Sequence, residues 1–149
     1  MSYVISTGGV SDGNKGQITV SGGGTVWSIN STILSGGTYT PTLTNDLNID
    51  SSTAYACQYA VSSGVCTVSG RFDLDVTLTA SSTKLRISLP FASALTASTQ
   101  VGGTAYCLTI AGLGSTIYAD AVNDAALVQF ISTDIGSNSW FFIFQYKIV

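Results

Sequence analysis

Val65-Cys66-Thr67-Val68-Ser69-Gly70-Arg71-Phe72-Asp73-Leu74-Asp75-Val76 places Cys66, Val68, Phe72 and Leu74 on one face, and Thr67, Ser69, Arg71, Asp73 and Asp75 on the other. A period of two marks a half-buried β-strand, because successive side chains of an extended chain point to opposite faces. The stretch Lys84 to Leu89 repeats the pattern, with Leu85, Ile87 and Leu89 opposed to Lys84, Arg86 and Ser88. Working outward, strand signals recur at Tyr39–Thr44, Thr53–Val61, Gly103–Ala111, Thr116–Asp120, Ala125–Ser132 and Ser139–Ile148. Short strands at such regular spacing predict an all-β fold, an antiparallel β-sandwich of jelly-roll-like type.

Composition agrees. Of 149 residues 45% are hydrophobic and only 9% charged, and Ser and Thr number 21 and 19. Ordinary domains carry roughly 25% charged residues, and helix surfaces use Glu, Lys and Arg. Here all eight acids are Asp, five residues are basic, and Glu and His are absent. Five scattered basic residues and a net charge of −3 exclude the basic stripe of a nucleic-acid binder. A mean hydropathy of +0.39 excludes a disordered chain and leaves two ways to cover the surface, with Ser and Thr or with a second copy over part of it. The longest apolar run, Trp140 to Phe144, has five residues, whereas a membrane-spanning helix needs about 20. Met1-Ser2-Tyr3-Val4 carries no basic and apolar leader pattern, so assembly in a cytoplasm is expected.

Before the main run of strands, Gly16–Val20 and Thr25–Asn30 alternate around the turn Ser21–Gly24, which predicts a β-hairpin preceded by an extended arm. Thr32–Gly37 is Gly- and Ser-rich and reads as a linker. The expected division is therefore 1–36, arm and hairpin, and 37–149, the sandwich. A lone hairpin is marginal in water, so residues 1–36 are expected to dock on another surface.

The last strand breaks the alternation. Trp140, Phe142, Phe144, Tyr146 and Ile148 make one face, while Phe141 and Ile143 make the other face apolar as well. A sandwich buries only one face of each sheet, so Trp140, Phe141, Phe142, Ile143 and Phe144 are the candidate oligomer interface. A cover by the hairpin and an exposed functional patch are the alternatives.

Little in the chain supports chemistry. Without His or Glu, no base stands ready to activate a Ser or Thr nucleophile, and no catalytic residue, metal site or cofactor is expected. Asp73 with Asp75, Asp46 with Asp50 and Asp120 with Asp124 lack the spacing of a calcium loop. Cys57, Cys66 and Cys107 are expected as reduced, buried thiols; a turn at Ser62-Ser63 would bring Cys57 opposite Val68 rather than Cys66. Tyr39, Tyr55, Tyr59, Tyr106, Tyr118, Trp27 and Trp140 have the shape to stack on sugars, although at sandwich spacing core and interface roles are commoner.

Ser11-Asp12-Gly13-Asn14-Lys15-Gly16-Gln17-Ile18-Thr19-Val20-Ser21, followed by Thr25-Val26-Trp27-Ser28-Ile29-Asn30, resembles the "DGxKGDITVS…TWTI" module of fibre proteins from tailed bacteriophages, with Gln17 where the module has Asp. Tyr39-Thr40-Pro41-Thr42-Leu43-Thr44-Asn45, Cys57-Gln58-Tyr59, Thr67-Val68-Ser69-Gly70-Arg71 and Ile87-Ser88-Leu89-Pro90 are similar, in order, to the C-terminal β-domain of phage head-fibre and tail-fibre proteins. The resemblance implies a homotrimeric virion component bound to a capsid or tail protein, with Asp12, Gly13, Lys15, Gly16, Ile18, Val20, Trp27 and Ile29 in the attachment segment. The chain lacks collagen-like or coiled-coil shaft repeats, so a short head fibre, spike or capsid decoration protein is the expectation. A tail-fibre tip recognising a host-surface glycan is the alternative. No nucleic-acid or membrane partner is expected.

Overall fold

A computed structural model describes residues 10–15, 18–29 and 34–148, with Ile29 and Leu34 by backbone alone. The fold is all-β. Among the described residues thirteen strands run in chain order as β1 (Gly13–Asn14), β2 (Ile18–Ser21), β3 (Val26–Ile29), β4 (Leu34–Tyr39), β5 (Leu43–Leu47), β6 (Ile49–Ala54), β7 (Cys57–Ser62), β8 (Val65–Val76), β9 (Ser82–Ser88), β10 (Val101–Cys107), β11 (Gly114–Asp120), β12 (Ala125–Ile131) and β13 (Ser137–Lys147). Contacts divide the chain into two units, residues 1–35 and 36–149. No helix among the described residues is long and apolar enough to cross a membrane.

In the first unit β1, β2 and β3 form an antiparallel three-stranded sheet. The larger unit is one curled antiparallel sheet in the order β4-β7-β8-β13-β10-β11-β12-β9-β5, with β6 beside β8 next to β7. The two layers expected of a sandwich are thus parts of a single hydrogen-bonded sheet. At Asn48 the chain passes from β5, the last strand of that order, to β6 on β8, so the curl is tied back on itself.

The inward faces follow the predicted alternation: Cys66, Val68, Phe72, Leu74 and Val76 of β8, Leu85 and Ile87 of β9, and Trp140, Phe142, Phe144 and Tyr146 of β13 are buried. Strand β13 carries four consecutive large aromatic positions inward because its neighbours yield space. Phe142 lies opposite Gly70 of β8 and Ala105 of β10, and Phe144 opposite Gly103 of β10. A side chain on Gly70 would meet Cys57 Sγ at 2.2 Å and Phe142 at 3.2 Å; the rings and the thiol occupy the volume a Cβ would need.

Three expectations are corrected. The Thr32–Gly37 linker is in part a strand: β4 pairs with β7, and Gly36 and Gly37 lie so close to Tyr59 that a Cβ would come within 3.1 and 2.9 Å of it. Small residues serve close approach here rather than flexibility. The Tyr39–Thr44 and Thr53–Val61 strands are each broken, at Thr40–Thr42 and at Tyr55-Ala56. The turn after β7 is Ser63-Gly64, both at positive φ, 52° and 78°, the pattern of a two-residue hairpin turn. That register sets Val61 opposite Cys66 and Tyr59 opposite Val68, and brings Cys57 to Gly70. Cys57, Cys66 and Cys107 are buried and free, and burial raises the pKa of the Cys57 and Cys66 thiols.

The segment after β9 is tied down by Asp124, whose carboxylate accepts from Ser93 N at 2.9 Å and Leu95 N at 3.0 Å. Desolvation pushes this carboxyl up, but bonds from the backbone of Leu95, Ser93 and Ala94 together outweigh it and hold the group below the ordinary carboxylate range. A depressed folded pKa contributes stability that is complete above the unfolded value, about 3.9, and is lost as pH falls through the lower folded value. The melting temperature is therefore expected to stay level from neutrality to about pH 4 and to fall below it. Asp124→Asn should lower the neutral value and flatten the acid decline, as calorimetry across pH 2 to 7, a range of roughly five units, would record.

Candidate functional site

Two surfaces stand out. In the small unit Gly22, Gly23 and Gly24 all take left-handed φ, from 64° to 86°, a conformation glycine adopts without a Cβ penalty. The turn thereby aims two N–H groups at one acceptor. The Asp12 carboxylate accepts from Gly24 N at 3.0 Å and Gly23 N at 3.2 Å, so the acid that opens the motif closes its turn. Thr25 Oγ1 donates to Gly22 O at 2.6 Å and Trp27 Nε1 to Gly24 O at 3.0 Å. Trp27 and Val26 nevertheless stay 56% and 54% exposed.

The remaining motif residues are placed around this turn. Gly13 lies in β1 opposite Val20, which is buried. Lys15 donates from its backbone to Ile18 O and from Nζ to Ser11 Oγ at 3.1 Å. Ile18 is half-buried and pairs with Ile29 through the backbone. Gly16 and the arm before Val10 lie outside the described residues. Asp12→Ala is expected to release the turn, seen as faster amide exchange at Gly23 and Gly24, while the melting of residues 36–149 stays within about 0.5 kcal/mol of the parent.

The second surface is the outer face of the sheet around β13. Of the five residues expected at an interface, Trp140, Phe142 and Phe144 belong to the chain's own core. Only Phe141 and Ile143 face outward, 36% and 48% exposed. Register builds two rows across the strands. Tyr106 of β10, Phe141 of β13 and Arg71 of β8 form one; Thr104, Ile143, Ser69 and Gln58 of β7 form the next. Tyr106, 55% exposed, stacks on Phe141 with ring centroids 5.8 Å apart and 27° between planes.

Between the rows lies an open depression of about 420 Å³, flanked by Ala56, Gln58, Arg71, Thr104 and Tyr106. Its floor is backbone, since Gly70 and Phe142 direct their side-chain positions inward. Arg71 is held rigidly: Nε and Nη2 donate to Asp73 Oδ1 at 3.1 and 3.0 Å, Nη2 also reaches Ser139 Oγ at 3.2 Å, and the guanidinium sits 4.5 Å from the Tyr55 ring centroid. Tyr55 donates its hydroxyl to Asp73 Oδ2 at 2.6 Å, which raises the phenol pKa. Desolvation acts upward on Asp73, but hydrogen bonds from Tyr55, Ser139 and Arg71, with the Arg71 charge, keep its carboxyl low. Asp73 is thus consumed by its neighbours and is not offered to a cation with Asp75.

A smaller hollow of about 260 Å³ lies beside Thr42, Thr44, Arg86 and Asn123. There Arg86 donates to Asp46 at 2.6 Å and faces Asp120 at 3.7 Å, an ion-pair clamp across β5, β9 and β11. Among the described residues no three His, Cys, Asp or Glu side chains converge as a metal ion would require.

Compared with family models, curated proteins and solved structures, the chain matches none of them. Gln58 and Thr104 were not legible as site residues, because only cross-strand register brings them beside Tyr106. Strict alternation on Gly103-Thr104-Ala105-Tyr106 is the signal that puts Tyr106 outward.

Proposed function

We propose that the chain is a bacteriophage virion structural protein, a short homotrimeric head fibre or spike or a capsid decoration protein, attached through its N-terminal unit. The observation that carries this reading is the separation at Ser35 and Gly36 of a small sheet, its turn clamped by Asp12 and its Trp27 and Val26 in solvent, from a larger unit with its own core. The resemblance of the Asp12–Asn30 stretch to phage fibre modules supports the same role. A hairpin with one exposed Trp buries too little to stand alone: one large side chain contributes about 1.5–3 kcal/mol, against roughly 1–2 kcal/mol to order each residue. A partner surface on the particle supplies the difference, and Trp27 is the anchor it takes up.

The test is mass spectrometry of density-purified particles from a host making either the whole chain or a version beginning at Leu34, which keeps β4. The whole chain is expected in the particles, and the shortened one in the soluble fraction with an unchanged far-ultraviolet spectrum. Absence of the whole chain from purified particles would overturn the reading. Native mass spectrometry at micromolar concentration is expected to return the trimer mass; a persistent monomer would remove self-association from the proposal. The depression at Tyr106 and Phe141 favours a second reading, a tail-fibre tip recognising a host-surface glycan.

A further inference from the structure

We infer that the depression between Tyr106, Phe141, Arg71 and Gln58 is a binding site for a neutral, hexose-type saccharide. The inference deepens the receptor-binding reading and rests on it, but concerns a surface of the larger unit alone.

The shape and the chemistry agree. A space of about 420 Å³ falls within the roughly 300–1,000 Å³ of small-molecule sites. Tyr106 and Phe141 present a stacked aromatic platform, and the C–H-bearing face of a pyranose packs on such rings through dispersion and the ring quadrupole. Around the platform stand polar groups with no partner among the described residues: Arg71 Nη1, the Gln58 amide, Ser69 Oγ, Thr104 Oγ1 and the Tyr106 hydroxyl. Donors and acceptors mixed around an apolar plate match a ligand that alternates hydroxyls and C–H faces.

Charge narrows the class. The guanidinium of Arg71 is neutralised by Asp73, and no other basic residue lines the depression, so a carboxylated or phosphorylated sugar gains nothing there. Arg71 is also pre-positioned by Asp73, Ser139 and the Tyr55 ring, and a group already fixed loses little freedom on binding. A second copy on this face would bury the Gln58, Thr104 and Arg71 donors against a surface that would have to satisfy each of them.

Methyl glycosides of glucose, galactose, mannose and N-acetylglucosamine, titrated to about 100 mM into the isotope-labelled whole chain, would saturate even a site with a Kd near 10 mM. At least one is expected to shift the amides of Ser69, Gly70, Thr104 and Ile143 in a saturable way. Tyr106→Ala should weaken that binding about tenfold, Gln58→Ala about threefold, and Tyr106→Phe should retain most of it. Tyr106 is largely in solvent, and Gln58→Ala and Tyr106→Phe serve if the alanine variant unfolds. Absence of saturable shifts with all four sugars would overturn the site. So would a change of oligomer mass in Tyr106→Ala or Gln58→Ala with no effect on sugar binding, which would make the face a contact between copies. Either outcome leaves the particle experiment standing, and loss of the chain from particles leaves the titration standing.

Discussion

Gly103→Ala is expected to prevent folding or to cost at least about 4 kcal/mol, against a typical domain stability of 5–15 kcal/mol. A Cβ at this position would lie 2.3 Å from Ile143 O, 2.5 Å from Phe144 Cβ and 2.7 Å from Phe144 Cα. Two of these atoms are backbone and the third is the root of a buried side chain, so no rotamer change can make room. Strands β10 and β13 would have to part along the pairing that runs from Val101 opposite Tyr146 to Cys107 opposite Trp140. Overpacking a core usually costs about 1–3 kcal/mol because side chains adjust; here they cannot. The neighbouring residue supplies the control. A Cβ on Gly102 meets nothing within 4 Å, and Gly102→Ala should stay within about 0.5 kcal/mol of the parent. Urea unfolding of the two variants decides the matter: equal stabilities would mean that the packing of Phe144 against Gly103 is not what holds the central strands together.

Asn48→Ala is expected to cost about 3–5 kcal/mol, roughly 10 °C in melting temperature. Asn48 turns the chain from β5 into β6 at a left-handed φ of 58°, and its side chain joins three segments. Nδ2 donates to Leu78 O and to Thr83 Oγ1, each at 2.9 Å, and to Ser132 Oγ at 3.2 Å, while Oδ1 accepts from Leu78 N at 2.8 Å. Thr83 and Ser132 are buried, so truncation takes a donor from two hydroxyls that keep only their bonds to Ser81 and Leu78, and each lost bond costs about 0.5–1.5 kcal/mol. Alanine adds the strain of the left-handed backbone, about 1 kcal/mol or more. Asn48→Gly removes that strain and retains the lost bonds, so it should sit between Asn48→Ala and the parent. If glycine and alanine variants melt together, the backbone term is absent; if glycine matches the parent, the network is dispensable. The Asn48 amide joins the corner between β5 and β6 to Leu78, to Thr83 of β9 and to Ser132 after β12.

Much of this was legible in the residues. The alternation of β8 and β9 placed Cys66, Val68, Phe72, Leu74, Leu85 and Ile87 inward, because a period of two leaves an extended chain no other way to separate apolar from polar. Charge-poor, Ser- and Thr-rich composition selected strands over helices. The glycine triplet at Gly22–Gly24 announced a turn, but not that Asp12 would seal it, since that bond spans residues twelve apart and depends on three left-handed backbones acting together. The Thr32–Gly37 stretch misled because glycines placed for close approach to Tyr59 have the same composition as a flexible linker.

The run from Trp140 to Phe144 marks the boundary between the two kinds of information. By itself the sequence determined that the stretch Trp140 to Phe144 is apolar on both faces, that the fold is all-β, and that its inward and outward sets separate strand by strand. Only the tertiary structure decided that Trp140, Phe142 and Phe144 fill space left by Gly70 and Gly103 while Phe141 and Ile143 remain outside with Tyr106 and Arg71. The physical reason is register. Side-chain direction along one strand follows from local geometry, but which residues of β7, β8, β10 and β13 stand side by side depends on pairings between distant segments, and a slip of one residue would invert every face.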